Sequence, residues 1–124
     1  YRKELNITEV KRSISNNQPL SFLRQVEKHI LLHLEDENFS VNELASSLHF
    51  SRSQLHRKIK ALTGMPTSIY IRHFRLLKAE ELIYTTDLSI SEISYQVGFK
   101  SPVYFSQVYK ATFDISPSSE KRKA

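Results

Sequence analysis

The sequence has no cysteine, and among 124 residues it has only two glycines (Gly64 and Gly98) and four prolines. Without cysteine there is no disulfide framework, no thiolate zinc site and no cysteine nucleophile. Two isolated glycines cannot build a phosphate-cradling loop, and no GxGxxG or Walker-type motif occurs. No apolar run approaches the ~18 residues of a membrane span. No signal-peptide pattern opens the chain, and residue 1 is Tyr, so the start reads as a cut from a longer protein. These absences leave the expectation of a soluble, intracellular, basic chain of one domain, or of two very small ones sharing a core.

What the sequence does have is positive charge, unevenly placed. There are 18 Lys and Arg against 13 Asp and Glu, a net +5, with a sequence pI near 9.5. Residues 1–38 hold six of each sign, so the whole excess lies in residues 39–124. A polyanion is the first partner such a balance suggests.

Helical punctuation dominates the pattern. The polar run from Ser13 to Pro19 reads as a linker. From Leu20, the apolar residues Phe22, Val26, Ile30 and Leu34 recur at helical spacing, one stripe of about four turns. Three capping boxes follow, at Ser40/Glu43, Ser51/Gln54 and Ser89/Glu92. Ser101-Pro102 is a fourth start, with proline at the first helical position. Pro66 to Thr85 reads as one long helix. No alternation argues for a strand, so the fold is expected to be all-α.

The chain also repeats itself. At an offset of 49, Val41, Glu43, Leu44, Leu48 and Phe50 fall on Ile90, Glu92, Ile93, Val97 and Phe99. Past the turn the offset becomes 50, and Leu55, Ile59 and Lys60 fall on Phe105, Tyr109 and Lys110. Each unit is helix, tight turn, helix. Gly98 suits the left-handed position of the second turn, and His49 must take that position in the first. Neither unit buries enough by itself, so the helices from Leu20 and Pro66 are expected to complete their cores.

The second helix of the first unit carries the functional signal. Leu55, Ile59 and Leu62 form its apolar face, and Arg52, Ser53, His56, Arg57 and Lys60 the opposite one. That face has three full positive charges and no acid, where a merely solvated helix would intersperse glutamate. A helix of this kind fits the DNA major groove, with Arg able to bond guanine bidentately and Lys able to reach phosphates.

Phe39 to Pro117 resembles the C-terminal DNA-binding domain of AraC-type (AraC/XylS) bacterial transcription regulators. The resembling runs are Phe39 to Ala45, Ser51 to Gly64, Tyr70-Ile71 with Arg75-Leu76 and Ala79, Ile90 to Ile93, and Val97 to Ser106. The resemblance implies about seven helices, with two helix-turn-helix units joined by a long linker helix. It also implies two recognition helices in successive major grooves. A linker helix of ~19 residues is ~28 Å long, and successive grooves on one face recur every ~34 Å.

Carried over position by position, the resemblance implies base contacts from Ser53, His56 and Arg57 in the first unit. In the second it implies Pro102, Val103, Ser106 and Gln107. Ser51, Arg52, Lys60, Lys100 and Lys110 are expected nearer the DNA backbone. Gln107 stands where the family usually has a basic residue, and Asp114 where glycine is common, so the second reading face is poor in charge. Residues 1–19 are expected to be a linker or the tail of an upstream sensory, receiver or dimerisation region, and residues 20–124 the DNA-binding domain. Double-stranded DNA is the implied partner, RNA polymerase a further one, and the bacterial cytoplasm the implied compartment, with no membrane contact by this segment.

Other signals carry less. His29 and His33 have a metal-compatible spacing, but no carboxylate or further ligand completes a site. Serines near His56 are already explained as caps, so neither an enzyme nor a cofactor is expected. The aromatics Phe99, Tyr104, Phe105, Tyr109 and Phe113 have the spacing of core residues rather than of a base-stacking platform. Arg72 and Arg75 are expected to pack and pair with Glu80 and Glu81 or to touch the DNA backbone. The rival reading from another class is a helical protein-interaction module offering a basic groove to an acidic partner.

Overall fold

A computed structural model describes residues 18–124, which form seven helices and no strand. They are α1 (Gln18–Leu32), α2 (Val41–Ser47), α3 (Arg52–Thr63), α4 (Thr67–Thr85), α5 (Ile90–Gln96), α6 (Pro102–Phe113) and α7 (Pro117–Lys123). The linker expected up to Pro19 lies, as far as Asn17, outside the described residues. α1 begins two residues before Leu20, with Pro19 in its first turn, where a missing N–H breaks no intrahelical bond.

Local chemistry sets the helix starts. Ser51 Oγ accepts the Gln54 N–H at 3.1 Å, and Gln54 Oε1 accepts the Ser51 N–H at 2.9 Å. Ser89 and Glu92 make the same reciprocal pair at 3.1 and 2.9 Å. At α2, Glu43 Oε1 accepts the Ser40 N–H at 2.8 Å and also meets the Ser40 hydroxyl. These bonds hold the Glu43 and Glu92 carboxyls below the ordinary carboxylate value.

The chain divides into two compact units. Of the described residues, the first holds 18–33 and 39–71, the second 34–38 and 72–124. In the first, Val26, Ile30, Leu44, Leu55 and Ile59 are fully buried. Burying such a side chain stabilises by roughly 1.5–3 kcal/mol. Phe22 meets Phe50 edge-on with centroids 5.6 Å apart. In the second unit Leu76, Ala79, Ile83, Ile93, Val97, Phe99, Phe105 and Tyr109 form one buried cluster. Leu34, expected at the end of the α1 stripe, lies beyond that helix and packs on this second cluster.

The two turns repeat as the offset of 49 predicts. His49 has φ 61 and Gly98 φ 88, both left-handed. The Phe50 N–H reaches the Ala45 carbonyl, and the Phe99 N–H the Ser94 carbonyl, each at 2.9 Å. The offset of 50 continues to the ends of α3 and α6. Gly64 (φ 76) and Asp114 (φ 62) both end their helices left-handed, donating to the Lys60 and Lys110 carbonyls at 2.9 and 2.8 Å.

α7 is the element sequence reasoning did not delimit. Ser116-Pro117 repeats the Ser101-Pro102 signature, and Ser116 Oγ accepts the Ser119 N–H at 3.1 Å. Its Glu120 is buried and accepts hydrogen bonds from Tyr109 Oη (2.6 Å) and Tyr84 Oη (2.7 Å).

Candidate nucleic-acid interface

α3 is oriented by Leu55 and Ile59, both with no exposed surface. With those two side chains turned inward, Arg52, Ser53, His56, Arg57 and Lys60 are all exposed, as is the cap Ser51. The expected face is therefore assembled on one helix. Arg52 Nη1 donates to Asn42 Oδ1 at 2.8 Å, which ties its guanidinium to α2.

Lys58 belongs elsewhere. Its Nζ lies 5.0 Å from the Phe22 ring centre and 5.8 Å from that of Phe50, a cation–π arrangement. One of the four cations on α3 thus packs against the hydrophobic edge of its own unit, apart from the face that carries Arg52, Arg57 and Lys60.

Beside that face is a groove of about 460 Å³. Arg52, Ser53, His56 and Arg57 line one side, and Thr67 and Ser68, at the start of α4, the other. The α4 wall is the part that sequence reasoning missed. Its signal is the Pro66-Thr67 pair, which marks a helix start next to α3.

In the second unit, Phe105 and Tyr109 are fully buried and orient α6. Val103 is 69% exposed, Gln107, Lys100 and Lys110 are exposed, and Pro102 and Ser106 are half-buried. This face carries two cations and no acid among the expected positions. Tyr104 departs from the core assignment given to the aromatics: it is 46% exposed, and its phenol accepts from Arg72 Nη1 at 3.3 Å.

Arg72 and Arg75 were expected to pack and pair with Glu80 and Glu81 or to touch the DNA backbone; Arg72 instead reaches the Tyr104 phenol. Glu81 pairs with Lys78 at 2.8 Å. Arg75 is buried, and its guanidinium donates to the carbonyls of Leu34, Val97 (2.7 Å) and Asp36 (3.1 Å). Burial pushes its pKa down, while Asp36 opposes that shift. It faces carbonyls in the interior of its unit.

His33 Nδ1 lies 3.0 Å from the His29 carbonyl, and its ring stacks on Phe39 with centroids 4.5 Å apart. Among the described residues no group of three or more His, Asp or Glu side chains could hold a metal ion. No described helix is long and apolar enough to cross a membrane.

A family described as a helix-turn-helix domain matches residues 44–123, more than half of the chain. The DNA-binding domain of AdpA, a global transcriptional factor solved in complex with a target DNA, is 30% identical, with a TM-score of 0.74 over 82% of this chain and 90% of that one. An AraC-type DNA-binding domain protein from Chromobacterium violaceum is 29% identical, with a TM-score of 0.69 over 83% and 95%. The chain belongs to the AraC-type helix-turn-helix family. Its all-α architecture and paired turns are those of that family's domain. Histidine kinase P4 of Formosa agariphila is 38% identical over 101 residues, 82% of this chain. The chain spans only 7% of that kinase, and less than two fifths of the curated transcription regulators it also matches.

Proposed function

We propose that this AraC-type domain reads duplex DNA with α3 and α6 in successive major grooves. α3 supplies most of the polar base contacts, from Ser53, His56 and Arg57. α6 contributes Pro102, Val103, Ser106 and Gln107. Ser51, Arg52, Lys60, Lys100 and Lys110 meet the backbone. The observation that carries this reading is the exposed, acid-free face of α3, set opposite the fully buried Leu55 and Ile59. Within a larger bacterial regulator, the domain is the output half. An upstream sensory, receiver or dimerisation region controls it in the cytoplasm, and bound DNA brings it within reach of RNA polymerase. No catalytic step is assigned to this domain.

Selection of bound sequences from random duplex DNA tests the reading. Two blocks about one helical turn apart are expected. Six or so phosphate contacts give a slope of log K against log salt of about −5, and the selected site should exceed random DNA by ~10³ or more. A flat salt response without sequence preference would overturn it and leave the basic groove to an acidic protein partner.

A further inference from the structure

α4 starts without a side-chain cap. The Pro66 carbonyl accepts the Tyr70 N–H at 3.0 Å, which puts proline at the capping position, where its ring offers no acceptor. The N–H groups of Thr67, Ser68 and Ile69 therefore have no intrahelical partner. Fifty residues later the order is reversed. There Ser116 caps, accepting the Ser119 N–H at 3.1 Å, and Pro117 follows it.

The exchange leaves a second mark. Thr67, displaced to the first helical position, is 1% exposed, and its Oγ1 has no hydrogen-bond partner. A buried hydroxyl is rarely left unpaired unless a ligand or water completes it. Thr67 and Ser68 line the groove, and Arg52, Ser53, His56 and Arg57 face them across it. The positive end of a 19-residue helix, two guanidinium groups and three hydroxyl side chains thus converge on one concavity, and no acid lines it.

We infer that this groove is an oxyanion subsite for a phosphodiester of the DNA backbone, seated at the start of α4 beside the recognition helix. The inference rests on the proposed DNA reading and deepens it. The amides of α4 and the Thr67 hydroxyl donate to the phosphate, and Arg52 supplies charge at its edge. Because α3 forms the opposite wall, a phosphate seated here fixes how Ser53, His56 and Arg57 meet the bases. Backbone contacts position and base contacts specify.

The test compares the wild type, Thr67→Val and Thr67→Ser on the selected duplex and on a random one. Each phosphate near the first block is replaced in turn by an uncharged methylphosphonate. Thr67→Val should weaken binding about tenfold on both duplexes, with a melting temperature unchanged or raised, since the hydroxyl has no partner in the free domain. Thr67→Ser should bind within about twofold of wild type. One methylphosphonate should cost the wild type about tenfold and Thr67→Val nothing further. Wild-type affinity in Thr67→Val, or a loss that no single phosphate masks, overturns the subsite while leaving the DNA reading intact. Loss of preference for the selected duplex in the wild type itself is failure of the DNA reading. Inorganic phosphate that shifts the Thr67–Ile69 amide resonances without any methylphosphonate effect assigns the groove to a free anion and overturns the inference.

Discussion

Arg75 donates from Nη1 to the Val97 carbonyl at 2.7 Å, directly beneath Gly98. A Cβ at Gly98 would fall on the guanidinium, 2.6 Å from Cζ and closer still to Nη1 and the Leu34 carbonyl. Gly98 is therefore required twice, by its left-handed φ of 88 and by the cation below it. Gly98→Ala is expected to destabilise by ~3 kcal/mol or more. About 1 of that reflects the left-handed backbone, and the rest the collision. Arg75→Ala strands buried carbonyls and should cost about 2–4 kcal/mol. In the double variant the total loss should be smaller than the sum of the two, because the guanidinium part of the collision is gone while the Leu34 carbonyl stays. Urea unfolding of the four proteins measures this, and strict additivity would sink the relationship. The matching position of the first turn is His49 (φ 61), and His49→Gly should be neutral or stabilising.

The proposed reading faces of α3 and α6 differ in charge, and their variants should differ in affinity. Arg57→Ala removes a guanidinium able to bond guanine bidentately, and should cost about 1–3 kcal/mol on the selected duplex with relaxed preference at one base. Gln107→Ala removes one adaptable amide and should cost less than about 1 kcal/mol. Titration of both variants at one fixed salt concentration decides the matter. An equal or larger loss for Gln107→Ala would show that α6, not α3, leads the readout.

Lys58 and Lys60 lie two residues apart on α3 and do different work. Lys60→Ala should lower the salt slope by about 1 and weaken all duplexes alike, with little change in stability. Lys58→Ala should leave the slope within error and lower stability by about 0.5–1 kcal/mol, through loss of its contact with Phe22 and Phe50. Paired salt titrations and melts separate the two. A Lys58→Ala slope change as large as that of Lys60→Ala would place both on the DNA.

What sequence made legible follows from the range of each interaction. The capping boxes at Ser40, Ser51 and Ser89 act within four residues, so their letters are their structure. The left-handed turns at His49 and Gly98 follow from the repeat, and the exposed basic face of α3 from helical period. Arg75 is different: its carbonyl partners lie 22 to 41 residues away, and no local pattern places Leu34 and Val97 together. The same holds for Lys58, whose neighbours come from α1 and the turn. The groove wall at Thr67 also depends on how α4 returns past α3. Glu120 lay in plain view behind Ser116-Pro117, yet only the packed unit shows that two phenols point at it.

That pair of phenols sets a pH window for the second unit. The bonds from Tyr109 and Tyr84 hold the Glu120 carboxyl below its ordinary value of 4.5, and burial opposes them less strongly. A depressed carboxyl contributes stability above the unfolded value, and this is lost as pH falls through the lower folded value. Burial, then the bond to Glu120, pushes the Tyr109 phenol above its ordinary 10, and Glu80 adds to that. A raised phenol contributes stability below pH 10 that is lost as pH climbs toward the folded value. Thermal midpoints should therefore be flat from about pH 5 to 9 and fall on either side. Glu120→Gln keeps an acceptor but not the charge. It should cost about 1–2 kcal/mol at neutral pH and make the acid limb shallower, though not flat, because Glu43 and Glu92 also titrate low. Tyr109→Phe should remove most of the alkaline limb. An acid limb in Glu120→Gln as steep as that of the wild type would mean that the capping carboxylates, not this buried cluster, govern acid unfolding.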